Sequence, residues 1–159
     1  AVCLASPLRD VYKRQIMYIG EYTHSIDNKG RVIMPSLFRE ELGMSFYVTK
    51  GMEGCIFVYD KESWKLLEEK TKQLRLTSKK ARQFERIFYA PARELEFDKQ
   101  GRIVIPQNLR EYAGINKEAT IIGVSSRIEI WDKERYEEYI SSQEMDYDNI
   151  IEDFEELDI

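Results

Sequence analysis

Two short segments of the chain carry charged residues in the same order, DNKGR at residues 27–31 and DKQGR at residues 98–102. Lysine and arginine are the side chains that bind phosphate and carboxylate groups, and a residue in or just after a tight turn is presented to solvent. Binding to an anionic partner, rather than catalysis, is the chemistry that this pattern supports. The candidate residues are the four basic ones: Lys29, Arg31, Lys99 and Arg102.

The aspartate and the glycine of each segment have a structural explanation. Asp27 stands at the first position of a type I turn and Gly30 at the fourth, so the carboxylate can accept backbone hydrogen bonds while glycine adopts the left-handed conformation. Asp98 and Gly101 repeat this arrangement. An arginine that only pairs with its own aspartate would make each motif purely structural, and that alternative stays open for either turn alone. A fold needs the glycine twice, but it does not need the exposed arginine twice.

Residues that commonly catalyse reactions or hold metals are scarce. His24 is the only histidine and lies in a segment predicted to be a strand, and Cys55 has no cysteine or histidine at ligand spacing. Neither glycine-rich phosphate-binding motif occurs. We therefore expect no catalytic residue, metal site, cofactor or small-molecule substrate. The only other cysteine is Cys3, so a disulfide framework is not expected and a reducing cytoplasm fits the chain.

The charged segments belong to a longer unit that occurs twice, at residues 27–43 and 98–114, with an offset of 71 residues. Each copy predicts a hairpin around the turn, followed by a helix of about two turns that starts at Pro35 or Pro106 and closes at a glycine. Two copies suit a pseudo-two-fold domain in which each half completes the other. Both short helices carry a basic residue that is a secondary binding candidate: Arg39 and Arg110.

The rest of each unit predicts a pair of strands, at residues 46–60 and 119–132, followed by a longer helix. Asp60 and Asp132 are suited to cap the helices that follow them, and Ser78 can cap a further helix linking the two units. Apolar residues at helical spacing on the two linking helices are expected in the core. They are Trp64, Leu67 and Leu74 on the first helix, and Ala81, Phe84, Ile87 and Phe88 on the second.

Charge is distributed unevenly along the chain, whose net charge is -5. Residues 143–159 hold eight acidic and no basic residues, whereas residues 17–142 hold 21 basic and 20 acidic residues. The body is therefore neutral with basic patches, and the tail predicts an acidic amphipathic helix. No apolar run approaches the roughly 20 residues needed to span a bilayer, so no membrane association is expected.

Four segments follow from these patterns. Residues 1–16 show neither helical nor strand period and are interpreted as a non-native or disordered extension; the alternative is a genuine basic arm. Residues 17–90 form the first repeat with its helical linker, residues 91–142 form the second repeat, and residues 143–159 form the acidic tail.

The sequence from Met17 onward resembles the MraZ family. The resemblance rests on MYIGEYTHSIDNKGRVIMPSLFREELG, GCIFVY, LTSKKARQFERIFY, LEFDKQGRIVIPQNLREYAG and IIGVSSRIEIWDKE. It implies an α+β fold in which the two tandem repeats form an AbrB-like, swapped-hairpin β-barrel with flanking helices. It also implies a homo-oligomeric ring, associated with the nucleoid in the cytoplasm. This ring would bind double-stranded DNA at repeated promoter elements of the division and cell-wall gene cluster.

The family motif carries over to Asp27, Lys29 and Arg31, and again to Asp98, Lys99 and Arg102. The lysines would anchor phosphates, the arginines would reach a phosphate or a guanine edge, and the aspartates would hold the turns and orient the arginines. The chain departs from the family at APARELEFD, where members often have Gly-Ala and Pro91 stiffens the linker. This departure gives no reason to expect a loss of DNA binding.

Other classes of protein stay open at this point. A non-enzymatic, oligomeric assembly protein could use the same basic turns to bind acidic partners. An enzyme on a related barrel would mature by cleavage at a Gly-Ser bond, which does not occur in this chain. The basic stretch Lys65–Arg86 is interpreted as a solvated helical face, and contact with phosphate is the alternative.

Overall fold

The computed structural model describes residues 16–154 and residue 156. Within them, eight β-strands and six α-helices form a mixed fold, which confirms the predicted α+β class. The strands are β1 (Tyr18–Ser25), β2 (Arg31–Ile33), β3 (Ser45–Lys50), β4 (Ile56–Asp60), β5 (Arg93–Glu96), β6 (Arg102–Val104), β7 (Glu118–Ser125) and β8 (Ile128–Asp132). The helices are α1 (Ser36–Leu42), α2 (Lys61–Thr71), α3 (Lys79–Phe88), α4 (Gln107–Ala113), α5 (Lys133–Ile140) and α6 (Tyr147–Glu152). The predicted extension, residues 1–16, lies outside the described residues except for Ile16.

Six strands form one antiparallel sheet in the order β1-β7-β8-β4-β3-β5. The first strand of each repeat pairs with a strand of the other repeat, because β1 runs along β7 and β5 runs along β3. Strands β4 and β8, one from each repeat, pair in the middle of the sheet. Neither repeat forms the sheet alone.

Strands β2 and β6 form a separate two-stranded ribbon, called the ribbon below, in which Val32 lies opposite Ile103. The prediction that each repeat opens with a hairpin is wrong, because each turn joins strands whose ladder partners belong to the other repeat. Turn residues reverse the chain locally, whereas burial of alternate side chains selects the strand partner. Among the described strands, β1 and β5 are the ends of the large sheet, so the ladders do not close the barrel that the resemblance implied.

The main apolar core lies beneath the ribbon and the two short helices. Val32 and Ile103 are each 1% exposed, and Phe38 of α1 and Leu109 of α4 are equally well buried. Helices α1 and α4 have seven residues each, which is too short for a stable isolated helix. Burial of each aliphatic or aromatic side chain contributes about 1.5–3 kcal/mol to the free energy of unfolding. Packing rather than intrinsic helix propensity therefore stabilises these helices.

A second, aromatic cluster joins the linking helices to the sheet. Trp64 of α2 stacks between Tyr47 of β3 and Phe88 of α3, at centroid distances of 4.8 and 5.5 Å. Two predictions for these helices are wrong. Leu74 follows the end of α2 at Thr71 and is 42% exposed, and Ile87 points outward from α3 with 60% exposure.

The three predicted helix caps are confirmed. The side chains of Asp60, Ser78 and Asp132 each accept a hydrogen bond from the backbone N–H three residues later. Such a cap gives a hydrogen-bond partner to a backbone N–H in the first helical turn and contributes about 1 kcal/mol to the stability of the protein.

The acidic tail forms the short helix α6, and large apolar side chains on it and just after it stay exposed in the described part of the chain: Tyr147 of the helix is 70% exposed, and Phe154, which follows it, is 53% exposed. Among the described residues, no helix combines the length and apolar character required to cross a bilayer. The segment boundaries at residues 16, 90 and 142 stay predictions.

Candidate functional site

The two charged segments fold into nearly identical turns, called turn 1 (residues 27–30) and turn 2 (residues 98–101). In turn 1, Oδ1 of Asp27 accepts hydrogen bonds from the backbone N–H groups of Lys29 (3.0 Å) and Arg31 (2.9 Å). Its Oδ2 accepts from Nε of Arg31 at 2.6 Å. In turn 2, the corresponding distances from Asp98 are 2.9, 2.8 and 2.8 Å. The sequence motif therefore specifies the same local geometry twice.

These contacts stabilise the ionised form of both aspartates. The backbone N–H of Arg31 lowers the pKa of Asp27 most, and the guanidinium of that arginine and the N–H of Lys29 lower it further. The pKa of Asp98 is lowered in the same way, with the backbone N–H of Arg102 as the main cause. Each turn thus holds a carboxylate that is charged at neutral pH and fixes one edge of an arginine.

The other edge of each guanidinium is available. Arg31 and Arg102 use Nε for the aspartate, and their Nη1 and Nη2 groups make no hydrogen bond within residues 16–154 and 156. The two side chains are 32% and 27% exposed. A guanidinium held in this way keeps the pair of terminal N–H donors that can grip a phosphate or the O6 and N7 atoms of guanine.

The ribbon brings the two arginines onto one surface. Arg31 lies opposite Val104, and Arg102 lies opposite Ile33, one residue to either side of the buried pair Val32 and Ile103. Because side chains alternate between the faces of a strand, these four residues share the solvent face, called the ribbon face below. These residues form two cross-strand pairs, Arg31–Val104 and Ile33–Arg102, which are called rungs below. The two rungs are separated by two residues, which is about 7 Å along the strands.

The turn lysines lie at the two ends of this face. Lys29 and Lys99 are exposed, and neither forms an ion pair with another residue of the described chain. An open groove of about 710 Å³ runs beside turn 1, between it and helix α4, and is lined in part by Asn28, Lys29 and Arg110. The basic side chains therefore flank the arginines rather than forming a separate patch.

The secondary candidates on the short helices, Arg39 and Arg110, lie next to the two turns. Nη1 of Arg110 approaches the carbonyl oxygen of Asn28 in turn 1 at 3.4 Å. Nη1 of Arg39 donates to the carbonyl oxygen of Met34 at 2.8 Å and lies directly under Gly101 of turn 2. Each guanidinium thus supports the turn of the opposite repeat, an arrangement that no local sequence pattern signals.

Two apolar residues of the ribbon face were missed by reasoning from the sequence. Ile33 is 44% exposed and Val104 is 53% exposed, although both belong to strands with a buried opposite face. The alternation RVIM and RIVI carries the signal, because the first and third residues of each run share a face.

A buried carboxylate outside the ribbon is fully paired. Glu129 is 8% exposed and accepts hydrogen bonds from Nη2 of Arg127 (2.8 Å) and Nε1 of Trp131 (3.1 Å). The part of the chain that the structure describes contains no group of histidine, cysteine and carboxylate side chains arranged to hold a metal ion. The turns and the ribbon face are thus the strongest candidate for a functional site.

Comparison with known proteins gives consistent results along the chain. A family model described as "MraZ protein, putative antitoxin-like" matches twice, at residues 17–87 and 88–155. The protein named transcriptional regulator MraZ from Clostridium tetani is 54% identical over 143 residues, which cover 90% of this chain and 100% of the relative. Proteins of the same name from Finegoldia magna (52%) and Caldicellulosiruptor bescii (55%) match with the same coverage of both chains.

Proposed function

Because the chain belongs to the MraZ family, we propose that it is a non-enzymatic, sequence-specific DNA-binding transcriptional regulator that contacts the duplex through the ribbon face and the two turns. The observation that carries this proposal is that Arg31 and Arg102 lie on one solvent face, each with Nε held by an aspartate and with terminal nitrogens that bond no other part of the described chain. A preorganised guanidinium loses less rotamer entropy on binding than a freely rotating one.

The mechanism divides the contacts between phosphates and bases. A two-stranded antiparallel ribbon fits the major groove, which is about 12 Å wide, so the ribbon face can approach base edges. Arg31 and Arg102 would each bind a guanine edge or a phosphate. Lys29 and Lys99, at the ends of the face, would bind the flanking phosphates, and these contacts position the protein without reading sequence.

The net charge of -5 does not oppose this mechanism. Eight of the acidic residues belong to residues 143–159, whereas the binding residues lie on the ribbon and its turns. Exposed charges separated by more than about 8–10 Å are largely screened at physiological salt. Charges within this range of the interface therefore govern attraction to phosphate.

Assembly would multiply these weak contacts. We propose a homo-oligomer, in the form of a ring, whose successive ribbon faces engage repeated promoter elements of the division and cell-wall gene cluster in the nucleoid of the cytoplasm. When several sites on one particle bind several elements on one duplex, the second and later contacts are intramolecular and the overall affinity rises by about 10²–10⁴.

The test compares alanine variants of the arginines with a matched arginine elsewhere. Arg31→Ala and Arg102→Ala should each lose about 1–3 kcal/mol of specific DNA binding if a base edge is contacted. If a phosphate is contacted, the slope of log K against log salt should fall by about 0.9 per site. Arg86→Ala, an exposed position on α3 within the basic stretch Lys65–Arg86, is the matched control and should bind like the parent.

The measurement is fluorescence anisotropy at several salt concentrations, with a duplex selected from a random-sequence library by the parent protein and with an unrelated duplex. Circular dichroism should show unchanged folding, because a surface ion pair contributes only about 0–1 kcal/mol. If both ribbon variants bind the selected duplex like the parent while Arg86→Ala weakens, the helical face is the DNA-binding surface. If no duplex is enriched and polyglutamate binds instead, the protein is an assembly factor for acidic partners.

A further inference from the structure

We infer that Ile33 and Val104, the two aliphatic residues of the ribbon face, determine specificity by contacting thymine methyl groups beside the bases that the arginines bind. This inference rests on the proposed DNA-binding function and extends it. The ligand is a duplex whose major groove presents guanine edges next to thymine methyl groups.

The hydrogen bonds of the ribbon place each aliphatic side chain beside an arginine. Met34 N–H donates to the carbonyl oxygen of Gly101 (3.2 Å), and Ile105 N–H donates to that of Gly30 (2.8 Å). These bonds flank the pairs Ile33–Arg102 and Arg31–Val104, which are therefore non-hydrogen-bonded pairs of the antiparallel ladder. Side chains of such pairs are the closest across two strands, with Cβ atoms about 4.5–5.5 Å apart.

The ribbon face is consequently made of two rungs, each with one guanidinium and one aliphatic side chain. The order of the two side chains is reversed between the rungs, because the strands are antiparallel and come from equivalent positions of the two repeats. The rungs are about 7 Å apart, which is close to two base-pair steps of about 3.4 Å. Each rung can thus contact a different site in the groove, made of one base pair or of two neighbouring base pairs.

The core does not account for the aliphatic character of these positions. Val32 and Ile103 fill the buried side of the ribbon at 1% exposure each, whereas Ile33 and Val104 expose 44% and 53% of their surface. An apolar side chain between two cations is unsuited to an acidic peptide, but it matches the major groove of DNA, where the C5-methyl of thymine is the one apolar group among polar base edges. The arginines favour a phosphate-bearing partner and the aliphatic side chains favour thymine methyl groups, and duplex DNA offers both.

The experiment uses the full chain and a duplex enriched from a random library by the parent protein. Each thymine of this duplex is replaced in turn by deoxyuridine, which lacks only the C5-methyl. The parent should bind at least one substituted duplex about 4-fold more weakly, the equivalent of one buried methyl group. Ile33→Thr or Val104→Thr should abolish that difference at the same position, since threonine keeps the β-branch and one methyl group but replaces the ethyl group of isoleucine, or one methyl group of valine, by a hydroxyl.

Ile19→Thr is the matched control, because Ile19 is a 72%-exposed isoleucine on strand β1, outside the ribbon. It should retain the full discrimination between thymine and deoxyuridine. Light scattering of each variant checks assembly. A changed mass for Ile33→Thr or Val104→Thr would show that another copy of the chain covers the face, and would overturn the inference.

Failure of the inference is distinguishable from failure of the proposed function. If Arg31→Ala and Arg102→Ala weaken binding but the parent binds every deoxyuridine duplex equally, the DNA-binding function stands and the methyl contact is wrong. The same conclusion follows if both threonine variants keep the parent's discrimination. If the arginine variants bind the selected duplex like the parent, both the proposed site and this inference are overturned.

Discussion

Gly101→Ala should destabilise the protein more than Gly30→Ala, although the two glycines occupy the same position in equivalent turns. Their φ angles are +75° and +80°, so a Cβ at either position introduces a left-handed strain of about 1–2 kcal/mol. The surroundings differ. A Cβ at Gly101 would lie 2.7 Å from Cζ of Arg39, whereas a Cβ at Gly30 would lie 3.1 Å from the carbonyl oxygen of Ile105.

The difference in cost follows from what must move. At Gly30 the carbonyl group of Ile105 has to give way by only a few tenths of an ångström. At Gly101 the guanidinium of Arg39 has to leave, which breaks its 2.8 Å hydrogen bond to the carbonyl oxygen of Met34. A hydrogen bond from a charged donor contributes about 1.5–3 kcal/mol, and partial exposure of this one favours the lower end. We therefore expect Gly101→Ala to cost about 1–1.5 kcal/mol more than Gly30→Ala in the free energy of unfolding.

Urea denaturation of both variants, alone and combined with Arg39→Ala, measures this difference. In the Arg39→Ala background the two glycine substitutions should cost the same, because the obstructing side chain is gone. Equal costs in the parent background, or a difference that persists without Arg39, would refute the argument that this side chain supports turn 2. A DNA-binding assay on the same variants should show the larger loss for Gly101→Ala, since Arg102 follows the displaced turn.

Three further predictions concern titration, reactivity and packing. The pKa values of Asp27 and Asp98 are lowered in the folded chain, so their stabilising effect is present above the unfolded value of about 3.9 and is lost as the pH falls through the folded pKa values. Asp27→Asn and Asp98→Asn should therefore reduce stability at pH 7 and flatten its decline below about pH 4 in urea titrations. Burial raises the pKa of the Cys55 thiol, so iodoacetamide at pH 8 should label it far more slowly in the native protein than in urea, as peptide mass mapping can follow; equal rates would contradict its burial. Trp64→Ala should lower the free energy of unfolding by about 3–5 kcal/mol, because it removes a ring stacked between two others. A loss below about 1 kcal/mol in urea denaturation would show that α2 does not depend on this contact.

Features that depend on neighbours in the chain could be predicted from the sequence. The Asp-x-x-Gly turns form because a carboxylate reaches N–H groups two and four residues ahead, and the caps at Asp60, Ser78 and Asp132 act over three residues. The repeat also predicted two equivalent units with short helices that start at a proline and close at a glycine; in the structure they begin one residue later, at Ser36 and Gln107, with the proline as the N-cap residue. Each of these interactions spans one turn of chain, so residue identity and spacing determine it.

Features that depend on strand partners were decided by the tertiary structure. The pairing of β1 with β7 and of β5 with β3 replaced the expected hairpins, because burial of alternate side chains across the whole domain outweighs proximity in sequence. The register of β2 against β6 placed Arg31, Ile33, Arg102 and Val104 on one face, and it set Arg39 and Arg110 beneath the turns of the opposite repeats. Arg31 and Arg102 are 71 residues apart in the sequence, and only packing of the two repeats around a shared core brings them to adjacent rungs of one ribbon.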